Sequence, residues 1–134
     1  MTKNLKIALV TGGAGFIGSH LVDLLLKKNF RVIVIDNLSG GRLDNLKQHK
    51  DNKKLTFKKI DINNISKNEK TFRNVNYVFH FAGIGDIVPS IDAPSNYMKT
   101  NVQGTVNVLE ACRFSKVKKF IYAASSSCYG INNH

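Results

Sequence analysis

The sequence predicts an α/β fold, a doubly wound parallel sheet whose strands lie in the order three, two, one, four, five. Three observations carry this. Short apolar or β-branched runs recur along the chain, at 7–10, 32–35 and 75–82 among others. Helical patterns fill the intervals between them, and that alternation argues a parallel sheet with right-handed crossovers. Glycines at 12, 13, 15 and 18 stand where the first strand hands over to the first helix.

The elements follow in order. Residues 5–11 form strand one. Residues 15–28 form a helix, with Leu21, Val22, Leu24, Leu25 and Leu26 as its apolar face and Lys27 and Lys28 in its last turn. Strand two, 31–36, carries Val32, Ile33, Val34 and Ile35, suited to a sheet buried on both faces. Asn37, Ser39, Gly40 and Gly41 mark a loop, and a short helix is expected at 43–49. Strand three, 54–60, leads to Asp61 and Ile62. A weak polar helix is expected at 65–73 and strand four at 75–82. A loop with Pro89 and Pro94 precedes a long helix at 95–115, where Val102, Val106, Leu109 and Cys112 fit helical spacing. Gly104 interrupts that helix at a cost of ~1 kcal/mol against alanine, which points to close packing. Strand five, 118–124, is followed by a Ser125-Ser126-Ser127 loop, and the sheet is truncated there.

With 134 residues there is room for one domain, 1–134. Nothing approaches the 18 or so consecutive apolar residues of a membrane span, so no membrane partner is expected. The first residues do not resemble a signal peptide. Cys112 and Cys128 form no C-x-x-C pair and are expected as reduced thiols in a cytoplasmic protein. No metal site is expected. The net charge of +11 raises nucleic-acid binding. However, Asp44 and Asp51 interrupt the lysines at 47, 50, 53, 54, 58 and 59, and no aromatic stacking motif accompanies them. These lysines read as a solvated loop and strand edge, with no nucleic-acid partner.

The glycine cluster carries the chemistry. Gly13, Gly15 and Gly18 match G-x-G-x-x-G between a strand and a helix, the context a dinucleotide fingerprint requires. One glycine makes the tight turn, another lets a pyrophosphate approach the backbone, and a third lets the helix pack close. The helix start offers free N–H groups and partial positive charge to phosphate. Asp36 ends strand two, 18 residues past Gly18 and near the expected ~20. A carboxylate there accepts both ribose hydroxyls and repels a 2′-phosphate, so NAD is favoured over NADP. In the strand order above, ligands sit where the order reverses, between strands one and four. The loops meeting there are 12–18, 36–41, 81–85 and the one carrying Ser125.

Six motifs occur in register: Thr11-Gly-Gly-Ala-Gly-Phe-Ile-Gly18, Asp36-Asn-Leu-Ser-Gly-Gly41, Asp61-Ile62, His80-Phe-Ala-Gly83, Asn101-Val-Gln-Gly-Thr105 and Ser125-Ser-Ser-Cys-Tyr-Gly130. Together they resemble the extended short-chain dehydrogenase/reductases, specifically the NAD-dependent sugar-nucleotide epimerases and dehydratases of the UDP-glucose 4-epimerase type, over essentially all 134 residues. The resemblance implies a Rossmann-type domain and the cofactor NAD. It places Gly12, Gly15, Phe16, Ile17 and Gly18 at the pyrophosphate turn. Asp36, Asn37, Leu38, Ser39, Gly40 and Gly41 surround the adenosine ribose, and Asp61 and Ile62 the adenine. Phe81, Ala82, Gly83 and Ile84 line the cofactor, with Thr100 and Asn101 from the long helix. Ser125 matches a catalytic Ser or Thr position, and Ser126 and Ser127 join it against substrate. His80 reads as a packed strand histidine, and Tyr97 with Met98 as core or subunit interface.

The implied reaction is C4 epimerisation of a UDP-hexose through a transient 4-keto intermediate, by an enzyme that is a homodimer at full length. A 4,6-dehydratase, another extended-family member or a non-catalytic NAD-binding module are the alternatives. Dehydratases commonly show Thr-Asp-Glu where Ser125-Ser126-Ser127 stands, which favours the epimerase. The family's Tyr-x-x-x-Lys is missing: Phe81, Asn101, Ser126 and Asn133 lie four residues after the tyrosines. The family's later strands and nucleotide-sugar region are also missing, so the expectation is the N-terminal part of a longer enzyme, inactive alone and prone to self-association.

Overall fold

The computed structural model describes residues 5–130, apart from the side chains of Ser126 and Ser127. Five parallel strands form one sheet: β1 (Ile7–Thr11), β2 (Arg31–Asp36), β3 (Leu55–Lys59), β4 (Tyr77–His80) and β5 (Lys119–Tyr122), in the order β3-β2-β1-β4-β5. This is the order that the sequence predicts. Thr11 pairs with Ile35 on one side and His80 on the other, so the carboxyl ends of the three central strands are level.

Side-chain alternation along the strands divides the interior in two. Ala8, Val10, Val32 and Val34 face α1 (Phe16–Lys27), whose Val22, Leu25 and Leu26 are buried against them. Leu9, Ile35 and Val78 face the opposite layer, with Phe72, Val108, Ala111 and Cys112; this is the lower core and the layer under α1 the upper. Both faces of β1 and β2 are covered, as a β-branched run in a parallel sheet requires.

The segments between strands depart from expectation in three places. No helix spans 65–73. Single 3₁₀ turns stand at Ile62–Asn64 and Lys70–Phe72. Here side chains bond the local backbone and each other: Asp61 accepts from the Asn63 amide, Glu69 from the Thr71 amide, and Ser66 donates to Asn68. Such bonds compete with helix formation. The segment Leu43–His49 is also 3₁₀ rather than α. It is tied to α1 where Asp23 accepts from Gln48 (2.9 Å) and contacts His49 (2.7 Å).

The third departure is α2 (Ile87–Asp92), a short helix in the expected loop. Pro89 is its third residue, inside the first turn, where no N–H is needed. The long helix follows as α3 (Pro94–Tyr97), a π-helical stretch (Met98–Gly104) and α4 (Thr105–Phe114). The joints at Met98 and Thr105 keep right-handed helical dihedrals, so the three run on without a break. Gly104, Val108, Ala111 and Cys112 turn inward, whereas Met98, Val102, Val106 and Leu109 form an exposed apolar stripe. Tyr97 and Met98 are outside the core; the Tyr97 hydroxyl donates to the Asp86 carbonyl (2.7 Å).

Gly104 is the contact point of the long helix. A Cβ there would lie 2.7 Å from Ile62 Cδ1, in the lower core. Gly104→Val should therefore lower stability by about 1–3 kcal/mol through overpacking, read as a reduced urea midpoint at unchanged slope.

His80, on the same face of β4 as Val78, closes the lower core. Its side chain is fully buried, with Nδ1 2.7 Å from Thr11 Oγ1 and Nε2 2.9 Å from Thr105 Oγ1. Burial pushes its pKa down to about 4 from the usual 6.5. The folded state thus prefers neutral His80, and the unfolded chain takes up the proton first. Stability from this residue should be full above pH 6.5 and fall by about 3 kcal/mol as pH drops through 4. Urea midpoints of wild type and His80→Asn at pH 7.5, 5.5 and 4.5 check this, with the gap between them expected to shrink on acidification.

Candidate cofactor cleft

A cleft opens at the carboxyl ends of β1, β2 and β4. Its narrower part, about 270 Å³, lies between the β1–α1 turn, the loop after β2 and the loop after β4. A wider part of about 780 Å³ shares Gly12, Gly15 and the 81–84 segment and continues to Ser125.

The turn after β1 is built by close approach. Gly12 has φ +66°, and a Cβ on it would fall 2.7 Å from the Ala82 nitrogen and 2.8 Å from the Phe81 carbonyl carbon. A Cβ on Gly18 would run into the Gly12 carbonyl oxygen. No side chain at either position fits without moving backbone. The helix α1 starts on this turn with Gly15 as its N-cap, which supplies no side-chain hydrogen bond. The first N–H groups of α1 therefore face the cleft with no protein cap, as an anion-binding helix start needs. Phe16 and Ile17 line the wider part, and both are strongly exposed.

Asp36 lines the narrow part and is 7 % exposed. Its Oδ2 accepts from the Ala14 amide (3.0 Å) and its Oδ1 from the Leu38 amide (2.8 Å). A carboxylate has about four acceptor sites, so two backbone bonds fix its plane and leave capacity for hydroxyls. The Ala14 carbonyl in turn accepts from the Arg42 amide (3.0 Å) and from Asn45 Nδ2 (2.8 Å). The loop after β2 is thus moored to the glycine turn at both ends. Asn37, Ser39, Gly40 and Gly41 line the cleft. Leu38 does not: at φ +64° it packs its side chain against the upper core and presents only backbone.

On the far side, Asp61 and Ile62 form part of the floor, and Asn37 Nδ2 donates to Asp61 Oδ2 at 3.2 Å. Phe81, Ala82, Gly83, Ile84 and Thr100 complete the narrow wall. Asn101 borders the wider part, but its amide is committed: Oδ1 accepts from the Ile84 amide (2.9 Å) and Nδ2 donates to the Ile84 carbonyl (2.8 Å). Its visible work is to hold the loop after β4. Ser125 lines the wide end beside Tyr122, Ala123 and Ala124. Ser126 and Ser127 have side chains outside the described residues.

Several lining or supporting residues went unread in the sequence. Ile35 and Ile60 form apolar floor, and Ala14 and Asn45 moor the loop. The floor isoleucines carry no polar signal. Asn45, a short amide in the first turn of the segment 43–49, is the available cue.

The cleft lies at the switch point of a doubly wound sheet, the place where such folds bind ligands. UDP-glucose 4-epimerase of Schizosaccharomyces pombe is 36% identical over 126 residues, covering 91% of this chain and 36% of that protein. The structure of UDP-N-acetylglucosamine 4-epimerase from Methanobrevibacter ruminantium, in complex with UDP-N-acetylmuramic acid, superposes with a TM-score of 0.88 at 37% identity, over 97% of this chain and 41% of that one. Thermus thermophilus UDP-glucose 4-epimerase in complex with NAD gives a TM-score of 0.77 at 36% identity, over 89% and 37%. The chain spans 36% to 41% of the length of these relatives. The family model for the NAD dependent epimerase/dehydratase family matches residues 8–134, from within β1 onward, and the chain that folds into this cleft belongs to that family.

Proposed function

We propose that this chain is the NAD-binding part of an enzyme that epimerises UDP-hexoses at C4. The observation that carries the proposal is the turn at Gly12 and Gly18, pressed against Phe81 and Ala82 beneath an uncapped helix start, with Asp36 anchored beside it. This cradle suits a dinucleotide: a side-chain-free turn and open N–H groups for a pyrophosphate, and a fixed carboxylate for ribose hydroxyls. The redox chemistry at the sugar carbon is what the bound dinucleotide supplies. The chain's own residues bind and orient. Asp61 and Ile62 hold the adenine end, and the 81–84 segment separates the narrow cleft from the wide one. Ser125, at the wide end, is positioned to hydrogen-bond the reacting sugar oxygen. No tyrosine of this chain stands four residues before a lysine, so the 134 residues alone bind without turning over UDP-sugars.

Association belongs to the same proposal. The stripe of Met98, Val102, Val106 and Leu109 is 42% to 61% exposed along one helix, and β5 is the edge of the sheet among the described residues. Unpaired edges and apolar faces invite pairing. Sedimentation velocity at rising concentration should show self-association, and a monomer throughout would remove the stripe as an interface.

The cofactor is tested by calorimetric titration of the whole chain. NAD should bind, and NADP about tenfold or more weaker, because Asp36 opposes a 2′-phosphate. Asp36→Asn should weaken NAD by about tenfold and narrow the NAD/NADP gap. Absence of NAD binding by a chain that circular dichroism shows folded would sink the proposal.

A further inference from the structure

Behind the cleft wall runs a chain of hydrogen bonds whose direction is fixed by counting hydrogens. Thr11 Oγ1 is fully buried and accepts from the Ala82 amide (3.1 Å) and from the Phe81 amide (3.2 Å), whose hydrogen is shared with the Thr11 carbonyl (3.1 Å). A hydroxyl has one hydrogen and two acceptor sites. With both acceptor sites used, the Thr11 hydrogen goes to its remaining neighbour, His80 Nδ1, at 2.7 Å. His80 Nδ1 is then an acceptor and its proton sits on Nε2, which donates to Thr105 Oγ1 at 2.9 Å. The Thr105 hydrogen is left for the Asn101 carbonyl, at 2.7 Å. The opposite tautomer would leave the Thr11 hydrogen buried without a partner and set two acceptors competing for the Thr105 hydrogen. Polar hydrogens left unpaired in burial are costly, so the Nε2–H form is selected.

The ends of this chain matter. At one end it grips the Phe81 and Ala82 amides, against which Gly12 is pressed. At the other it grips Asn101, whose side chain holds the Ile84 backbone by two bonds. The two ends thus fix both limits of the segment 81–84, which lines both parts of the cleft. We propose that His80, as the Nε2–H tautomer, is a positioning residue of the cofactor cleft: it links the end of β1 to the long helix and thereby sets where the 81–84 wall stands. Phe120 and Tyr122 of β5 pack over the imidazole at 5.5 and 5.7 Å between centroids, and no charged group contributes to its depressed pKa. The ring is held neutral by its surroundings. The proposal rests on the cleft taking NAD.

Two measurements test it, and they fail separately. The ¹⁵N shifts of the His80 ring at pH 7 should show an unprotonated Nδ1 and a protonated Nε2, with or without ligand. A protonated Nδ1 would overturn the proposal whatever the cleft binds. Calorimetry with NAD on the whole chain is the second. Gln places its amide where Nε2 stands and Asn where Nδ1 stands. His80→Gln should keep the link to Thr105 and bind within about threefold of wild type, whereas His80→Asn should lose it and bind about tenfold weaker, the effect of one buried hydrogen bond. Thr105→Val should match the Asn variant and Thr105→Ser should recover. The Thr105 pair carries the test if the His80 variants do not fold. A residue that only stabilised the fold would lower the thermal midpoint of the Gln and Asn variants without separating their NAD affinities. Equal affinities for Gln and Asn, or wild-type affinity in Thr105→Val, would overturn the proposal. No binding by wild type would instead sink the NAD assignment and leave the tautomer result standing.

Discussion

The contact on which the cleft depends is backbone against backbone: Gly12 lying on the Phe81–Ala82 peptide. Two adjacent parallel strands, β1 and β4, send their chains to opposite faces at this point. They separate only after passing closer than any Cβ allows. That proximity brings the start of α1 beside the loop after β4 and sets the two walls of the crevice. The residues around it work to hold this approach. Thr11 binds the two amides that Gly12 faces, Gly18 brings the helix down onto the Gly12 carbonyl, and the Gly12 amide is tied to the Ile35 carbonyl at 2.9 Å.

A second layer converts that approach into a rigid mould. Polar side chains at the cleft are occupied with backbone. Asn101 spends its whole amide on Ile84, and Asp36 gives two acceptor sites to Ala14 and Leu38. Hydrogen bonds of this kind cost nothing at the moment of binding, because the groups are already ordered. Preorganisation raises affinity by removing the entropy of ordering loops, not by adding contacts. The cleft therefore owes its shape to residues that do not all touch what fills it.

Much of this was legible in the residues. The β-branched run of β2 and the handover from β1 to α1 at the glycines are local signals, and the strand order follows from alternation. Gly104 was legible as a close contact because a glycine inside a helix costs stability that only packing recovers. What escaped was set by context. Pro89 reads as a breaker, yet at the third position of a helix it breaks nothing. The polar stretch 65–73 has helical length, but Glu69 accepts from the Thr71 amide and Ser66 donates to Asn68, local bonds that compete with a helix. Val102 and Val106 share a helical face, but periodicity finds a face without saying what covers it, and here that face is exposed. Leu38 stands in the middle of a cleft-lining motif and nevertheless turns away, because its positive φ sends the side chain into the core. The pairing of Thr11 with His80 joins residues 69 apart, and only the register of β1 against β4 brings them together.

The missing cap at the head of α1 has a consequence beyond recognition. A helix whose first N–H groups lack a protein partner is incomplete until an anion arrives, so the ligand acts as a removable part of the fold. By mass action, a ligand at a hundred times its dissociation constant adds about 2.7 kcal/mol to stability, a large share of the margin by which small domains stay folded. The amount of intact protein in a cell would then track the supply of its ligand. Starved of it, the chain would sit closer to unfolding and be the earlier target for proteolysis, so the half-life of the protein would serve as a slow gauge of nucleotide abundance.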